Sequence, residues 1–165
     1  MKLTRKRLRK LIQESMLNFP ISYMDELSRH FETEVESIPG SNKNYRVLKL
    51  TKRFPDGCQV MIVNIFINVN ELGEFNLYLA ELATLDANGS VNDKCYKKGY
   101  ARIAMSDFLR ISDKYGIEID LTAASQDTEK FPNRQLVDFY IDQGFVNNEN
   151  PNRSTVEMTR PRKVK

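Results

Sequence analysis

The chain has 165 residues, 41% of them hydrophobic and 28% charged, which is the composition of one globular domain with a single core. No apolar run is long enough to span a bilayer, and no apolar stretch typical of a secretory signal follows the basic N-terminus. The single histidine, His30, excludes a multi-histidine metal site. The two cysteines, Cys58 and Cys95, have neither metal-ligand spacing nor the pattern of a disulfide framework. We therefore expect a reduced, cytoplasmic protein without a metal.

The net charge of +3 conceals two basic ends on an acidic body. Ten of the 25 lysines and arginines lie in residues 1–10 and 160–165, which leaves residues 11–159 with 15 bases against 22 acids. This distribution argues against a basic nucleic-acid-binding face on the body and leaves the ends as electrostatic arms. We expect a basic amphipathic helix in residues 1–19, one domain over 20–160 and a basic tail at 161–165.

In the first half of the chain, the apolar spacing predicts two helices and then a three-stranded meander. The first helix covers Leu3–Leu17, and the second covers Ser22–Phe31 with Ser22 as its N-cap. The acidic, then Pro/Gly/Asn-rich segment 32–44 is predicted to be a loop. The strands are Tyr45–Phe54, Cys58–Val69 and Phe75–Leu85, and Pro55-Asp56-Gly57 forms the turn between the first two.

The last of these strands differs from the others because its run 77–83 is nearly all apolar. Such a run is typical of a central strand that is covered on both faces. Glu81 is the only charge within the run, which makes it a candidate functional residue.

In the second half, helix, strand and helix alternate. A polar loop, Asp86–Cys95, precedes a helix from Gly99 to Tyr115, and the strand Ile117–Ala123 follows it. A further helix begins with Asn133 as its N-cap and ends at Gly144; its apolar positions are Leu136, Val137, Tyr140 and Ile141. The short strands 145–146 and 154–159 close the chain. Together the elements predict an α+β fold in α/β/α layers, with a mixed, mostly antiparallel central sheet and helices on both faces.

The turn Tyr96–Ala101 leads into the predicted helix at Gly99 and carries the first functional signal. Backbone N–H groups at a helix N-terminus have no intrahelical partner and bind anions such as a diphosphate. Gly99 permits close approach to the backbone, Ala101 keeps the first turn narrow, and Lys97 and Lys98 add positive charge. Taken alone, such a turn is more often a plain loop.

Two stretches together resemble the GNAT superfamily of acyltransferases. The acetyl-CoA loop of that family reads Gln/Arg-x-x-Gly-x-Gly/Ala; Gly99 and Ala101 match it, and Tyr96 stands where the family has Gln or Arg. The fourth helix of the family often reads Asn-x-x-Ala-x-x-Phe-Tyr-x-x-x-Gly-Phe. The matching residues here are Asn133, Phe139, Tyr140, Gly144 and Phe145, whereas Leu136 replaces the small residue. The resemblance covers about residues 20–160 and agrees with the predicted order of elements.

The resemblance implies an N-acetyltransferase that takes acetyl-CoA as its cosubstrate and acts on an amine of a small molecule or a protein. It places acetyl-CoA between the fourth and fifth strands, with Tyr140 protonating the departing thiolate and Glu81 deprotonating the amine. The implied cofactor-binding residues are Leu82, Ala83 and Thr84 for the pantetheine arm, Lys97, Lys98, Gly99, Tyr100, Ala101 and Arg102 for the pyrophosphate, and Asn133. Judged singly, Tyr140 could be a core residue, Asn133 a helix cap, and Glu81 a solvated or lysine-paired carboxylate.

A non-catalytic GNAT-like binding module is the alternative interpretation, because Tyr96 departs from the family signature and both ends of the chain are basic. Such a module would contact nucleic acid or an acidic protein through those ends. Neither interpretation includes a membrane. The acceptor amine has no recognisable motif, although the acidity of the body is suited to a cationic acceptor.

Overall fold

The computed structural model of the chain describes residues 21–38, 46–70, 74–126, 128–129, 131–147 and 149–163. The predicted helix Leu3–Leu17 and the basic N-terminal segment lie outside the described residues. Within the described ranges, no helix is long and apolar enough to cross a bilayer.

Four helices and seven strands make up the described fold. The helices are α1 (Ile21–His30), α2 (Asp93–Tyr96), α3 (Tyr100–Lys114) and α4 (Asn133–Asp142). The strands are β1 (Glu32–Ser37), β2 (Arg46–Arg53), β3 (Gln59–Ile67), β4 (Asn76–Leu85), β5 (Ile119–Ala123), β6 (Val146–Asn147) and β7 (Val156–Arg160).

All seven strands belong to one sheet in the order β1-β2-β3-β4-β5-β7-β6. Strands β1 to β4 form an antiparallel meander, whereas β4 and β5 are parallel because the chain crosses over through α2 and α3 between them. Strand β7 then pairs antiparallel with both β5 and β6. The predicted α+β class with a mixed, mostly antiparallel sheet is confirmed, and the placement of helices on both faces stays a prediction.

Strand β1 corrects the prediction of a loop for segment 32–44, because Glu32–Ser37 is the edge strand of the sheet. Its acidic side chains face a basic neighbour: Glu34 is the register partner of Lys49, and their charged groups lie 3.7 Å apart. Thr33 between the acids is buried. The segment is thus a half-buried strand stabilised by cross-strand charge pairs, and its acidity alone gave the wrong class of structure.

Several predicted helix boundaries shift in the structure. Helix α1 begins at Ile21, so Ser22 lies inside it and is not its cap. Helix α2 occupies the end of the predicted loop Asp86–Cys95, and the Asn92 side chain accepts a hydrogen bond from the Lys94 N–H to cap it. In α4 the N-cap is Pro132 and not Asn133, and Ile141, predicted to be an apolar contact, is 46% exposed.

The core lies where α1 and α3 pack side by side on the sheet. Tyr23 of α1 is fully buried, and its hydroxyl lies 3.1 Å from the Ser112 hydroxyl of α3. Burial raises the pKa of Tyr23 well above its usual range. The largest fully buried apolar side chains around this contact are Phe108, Met24, Leu27, Leu48, Leu50, Ile62, Leu77, Met105, Ile111 and Ile119.

The prediction that the cysteines remain unpaired is wrong, since Cys58 and Cys95 form a disulfide. The sheet register explains how residues 37 positions apart meet. Gln59, the first residue of β3, is the partner of Leu85, the last residue of β4, so Cys58 lies beside the segment that leaves β4. Two cysteines without a framework pattern carry no sign of this register.

Candidate functional site

The parallel strands β4 and β5 are paired over a short distance only. Residues 77–79 pair with residues 119–121, but β4 continues to Leu85. A β-bulge marks the point of separation, because Val63 of β3 is opposite Glu81, Asn64 is opposite Leu79, and Ala80 is left without a partner. Bulges bend a strand and increase its twist. The C-terminal half of β4 therefore pairs with β3 alone among the described strands.

From residue 80 to residue 84, this half of β4 is a free strand edge in the middle of a sheet, whereas Leu85 forms an isolated bridge with Val91. Ala80 and Glu81 are exposed, and residues 82–84 are half-buried, whereas in the first half buried Leu77 and Leu79 alternate with half-buried neighbours, so the strand is not fully covered on both faces as predicted. Peptide groups in the interior of a sheet are normally paired. An edge of this kind binds extended ligands that carry amide groups, in the manner of an added strand.

The N-terminus of α3 presents a second group of free backbone donors. Gly99 is its N-cap in the left-handed conformation, with φ 73°, and a Cβ built on Gly99 would meet no atom within 4 Å. The first backbone bond of the helix runs from the Ile103 N–H to the Gly99 carbonyl, and the N–H groups of Tyr100, Ala101 and Arg102 have no acceptor among the described residues. In a helix of 15 residues, this turn has the geometry and dipole that bind a phosphate group.

The three cations predicted to assist this turn are not equally available. Lys98 Nζ lies 2.6 Å from an Asp56 carboxylate oxygen, and the Arg102 guanidinium lies 3.4 Å from an Asp142 carboxylate oxygen. Lys97 is exposed and has no ionic partner among the described residues. An anion at the N-terminus of α3 would thus meet one free lysine in addition to the backbone amides.

Asp56, in the β2–β3 turn, is a residue of this region that the sequence marked only as part of a Pro-Asp-Gly turn. Its carboxylate accepts hydrogen bonds from Lys98, from the Tyr100 hydroxyl at 2.7 Å and from the Cys58 N–H at 3.1 Å. The bonds from Lys98 and Tyr100 lower the pKa of Asp56 to about 2. The ring of Phe54 stacks on Tyr100 with 3.8 Å between centroids. The turn therefore holds the start of α3.

Tyr140 lies on α4 with a buried ring and an available hydroxyl. Its ring contacts Phe139 and Phe145, at centroid distances of 5.3 and 5.5 Å, and the side chain is 6% exposed. No described residue hydrogen-bonds its hydroxyl, and the buried unpartnered side-chain atoms of the described residues all belong to Asn64. Burial raises the pKa of Tyr140 to about 12. The phenol is therefore neutral at physiological pH and can donate a proton.

The Asn133 side chain connects two loops. Its amide oxygen accepts a hydrogen bond from the Ser125 N–H at 3.0 Å, and its amide nitrogen donates to the Arg153 carbonyl at 2.7 Å. These contacts hold the loop before α4 against the loop between β6 and β7. The side chain that the resemblance assigned to the cofactor is thus engaged within the protein.

Glu81 is in a different environment from the one expected of a buried base. It follows the bulge in β4, and its side chain is exposed to solvent. A carboxylate at this position can still accept a proton from an amine directly or through water.

Two contacts bring the start of α3 together with α4. The Arg102 guanidinium lies 5.4 Å from the centroid of the Phe139 ring, in addition to its pairing with Asp142. The rings of Tyr96 and Phe131 meet edge to face at 6.0 Å, which joins the end of α2 to the loop before α4. The helix N-terminus and the helix that carries Tyr140 are therefore neighbours.

A separate surface cleft of about 280 Å³ lies between the end of α1 and strands β1 and β2. Two of its cations are already paired, Lys52 with Asp107 at 2.8 Å and Arg53 with Glu32 at 3.0 Å. None of the residues that line this cleft is among those that the resemblance implies, so we do not assign the site to it. Among the described residues, no group of three or more potential metal ligands occurs.

No protein-family model matches this sequence, and no curated protein is significantly similar to it. The arguments for function therefore come from the geometry of β4, α3 and α4.

Proposed function

We propose that the protein is an acetyl-CoA-dependent N-acetyltransferase with a GNAT-like fold. The observation that carries the proposal is the separation of β4 from β5 after three paired residues, next to a helix N-terminus whose first amides are free. A diphosphate and a chain of amides are the two parts of acetyl-CoA that such a pair of surfaces would bind. The proposal also agrees with the sequence resemblance at Gly99, Ala101 and Tyr140.

Two backbone surfaces would hold acetyl-CoA. The N–H groups of residues 100–102 would bind its pyrophosphate, assisted by the charge of Lys97. The free edge of Leu82, Ala83 and Thr84 would hydrogen-bond the two amides of the pantetheine arm, as an added strand does. Lys98 and Arg102 would assist cofactor binding through their positions at the start of α3 and not through their charges, because carboxylates already neutralise those charges.

Two side chains would handle protons during acetyl transfer. Glu81 accepts a proton from the acceptor amine, directly or through water, so that the nitrogen lone pair can attack the thioester carbon. The carbon–sulfur bond then breaks, and Tyr140 donates its hydroxyl proton to the leaving thiolate. Holding the amine and thioester in contact supplies most of the rate gain.

The described C-terminal residues do not favour the alternative of a binding module with free basic arms. Arg160 and Lys163 pair with Asp113, and the Arg162 guanidinium donates to the Asn76 amide oxygen at 3.2 Å. These three basic groups are engaged with the body of the protein and do not form a free arm, whereas the basic N-terminal residues lie outside the described residues.

Calorimetric titration with acetyl-CoA tests this proposal. We expect saturable heat and a raised melting temperature, because the ligand binds the folded state. A comparable affinity for CoA and a much weaker affinity for adenosine would show that the phosphates and the pantetheine arm together supply most of the binding free energy. The absence of both binding heat and a thermal shift at millimolar acetyl-CoA would reject the proposed function.

A further inference from the structure

One carboxylate holds the loop at the start of α3 on both sides of its glycine. Asp56 accepts from Lys98 Nζ at 2.6 Å and from the Tyr100 hydroxyl at 2.7 Å, and these two residues flank Gly99. The stacking of Phe54 on Tyr100 adds an apolar contact from the same turn. The β2–β3 turn thus constrains the loop without occupying the free amides of the α3 N-terminus.

A covalent bond holds the same loop from the preceding side. Cys58, at the end of the β2–β3 turn, is bonded to Cys95 in α2, two residues before Lys97, and both cysteines are 4% exposed. The Gln59 side chain also donates to the Asp86 carbonyl at 2.8 Å, at the beginning of the connection from β4. The phosphate-binding loop is therefore fastened to one turn through a disulfide and through Asp56.

Such anchoring has a direct consequence for a site made of backbone amides. Gly99 is conformationally free in an unfolded or loosened loop, so its left-handed conformation must be maintained by the surroundings. Amides that are already oriented bind an anion without a further ordering cost. A loop released from the β2–β3 turn would have to be ordered again each time the ligand binds.

We propose that Asp56 is a positioning residue for the phosphate-binding loop and that the Cys58–Cys95 disulfide is its redox-sensitive second anchor, so that reduction weakens binding of the diphosphate-bearing cosubstrate. This inference rests on the proposed function, since it concerns the same acetyl-CoA site. Asp56 acts through Lys98 and Tyr100 and does not itself touch the ligand.

The reduction step is a two-electron reaction with a phosphine and water. The phosphine supplies the electron pair that breaks the sulfur–sulfur bond, and water supplies one proton to each Sγ and its oxygen to the phosphine, which leaves as the oxide. The chain contains two cysteines, so a thiol assay in denaturant should count none before reduction and two after it. A phosphine is preferred to a thiol reductant because a thiol would exchange with the thioester.

The test of Asp56 compares two ligands. Full-length oxidised protein and its Asp56→Asn variant are titrated with acetyl-CoA and with S-acetylpantetheine, which lacks the diphosphate. We expect the variant to bind acetyl-CoA about fivefold more weakly, because it loses a charged hydrogen bond at an exposed site. Its affinity for S-acetylpantetheine should stay the same, which a general loss of structure would not produce.

Glu26→Gln is the matched control, because Glu26 accepts from Lys114 at 2.7 Å and from the Tyr115 hydroxyl at 3.0 Å at the other end of α3. It removes the same kind of carboxylate, one that anchors the opposite end of α3, and should leave both affinities unchanged.

The experiment on the disulfide compares the wild-type protein with and without phosphine and the double variant Cys58→Ser/Cys95→Ser. Reduction should weaken acetyl-CoA binding by a factor similar to that of Asp56→Asn, on the order of fivefold. The double variant should match the reduced protein and should not respond to phosphine. If the double variant does not fold, reversal of the wild-type effect on reoxidation provides the same information.

The outcomes separate the two proposals. If oxidised wild-type protein does not bind acetyl-CoA, the proposed function fails and this inference fails with it. If wild-type protein binds, but Asp56→Asn and the reduced protein bind equally well or more tightly, the positioning role is wrong and the function stands. Equal weakening toward both ligands would also overturn the positioning role.

Discussion

At the scale of single residues, Tyr140 shows how burial keeps a phenol in its protonated form. Its ring lies between two phenylalanine rings, which removes water from the phenol but leaves the hydroxyl without a partner among the described residues. Desolvation disfavours the phenolate, so the pKa rises to about 12. The same burial that stabilises the fold thus keeps the proton on the oxygen.

Tyr140→Phe should lower the rate of acetyl transfer on the order of 100-fold, because general acid catalysis contributes at least this much in many enzymes. The calorimetric affinity for acetyl-CoA should remain nearly unchanged, since the ring and its contacts are retained. Release of free CoA thiol with a panel of amine acceptors measures the rate. An unchanged rate in the variant would remove Tyr140 from the mechanism.

The raised pKa of Tyr140 also predicts a pH dependence of stability. The pKa of this phenol is near its ordinary value of 10.0 in the unfolded chain, whereas the folded protein retains the proton to about pH 12. Between pH 10 and pH 12 the unfolded state therefore binds fewer protons than the folded state. The contribution of Tyr140 to the free energy of unfolding is present below pH 10 and is lost as the pH rises through 12. The loss amounts to about 2–3 kcal/mol for a shift of this size.

Denaturant unfolding at pH 9 and pH 11.5 measures this effect. The wild-type protein should lose more unfolding free energy between these pH values than Tyr140→Phe, which has no phenol at this position. Tyr78→Phe is a control at a phenol that donates to Thr122 in a part-buried site. Equal losses in wild-type protein and Tyr140→Phe would contradict the assigned pKa shift.

At the scale of secondary structure elements, β4 is a strand with two different halves. Its first half pairs on both sides, with β3 and β5, whereas the half after Ala80 pairs with β3 alone among the described strands. An apolar run cannot report this difference, because hydrophobicity describes the faces of a strand and not its edges. The bulge opposite Val63 and Asn64 creates the edge.

Hydrogen exchange can test whether this edge is a binding surface. Acetyl-CoA should increase the protection of amides in residues 80–84, where ligand amides can pair, and in residues 99–102. The amides of residues 77–79 are the internal control, because they lie where the strand is already paired on both sides. Protection confined to residues 99–102 would place the pantetheine arm elsewhere.

At the scale of the whole molecule, Arg160 joins three elements at the end of the chain. This β7 residue is buried, and its guanidinium bonds both carboxylate oxygens of Asp113 on α3, with 2.9 Å between Nη2 and Oδ2. Its Nε donates to the Gln143 carbonyl at the end of α4 at 2.9 Å. The sequence counted Arg160 among the basic residues of a free tail, whereas the structure makes it an internal connection.

Arg160→Met should lower the unfolding free energy by about 2–3 kcal/mol, because the Gln143 carbonyl loses its donor and the Asp113 carboxylate keeps only the exposed Lys163 as a cationic partner among the described residues. Arg153→Met is the control: Arg153 is exposed and pairs with Glu149 at 3.3 Å, so its loss should cost less than about 0.5 kcal/mol. Urea unfolding curves of both variants provide the comparison. Equal stabilities would show that Arg160 adds nothing to the fold.

The sequence by itself determined those features that depend on local periodicity and backbone chemistry. The apolar spacing of α3, the alternation in β2 and β5, and the glycine at position 99 predicted elements and a helix N-terminus that the structure confirms. The sequence pattern did not predict β1, because its acidic residues are stabilised by pairing with β2 and not by burial of their own face.

Only the tertiary structure decided which groups meet. The antiparallel register of β3 and β4 brings Cys58 to Cys95, so two cysteines predicted to be reduced form a disulfide. The β2–β3 turn brings Asp56 to Lys98, so the charge of a lysine predicted to bind phosphate is neutralised. The Asn133 side chain likewise forms hydrogen bonds to two loops, at Ser125 and at Arg153. Contacts of this kind depend on strand register and helix packing, which are set by interactions along the whole chain. A sequence motif records only the spacing of neighbouring residues.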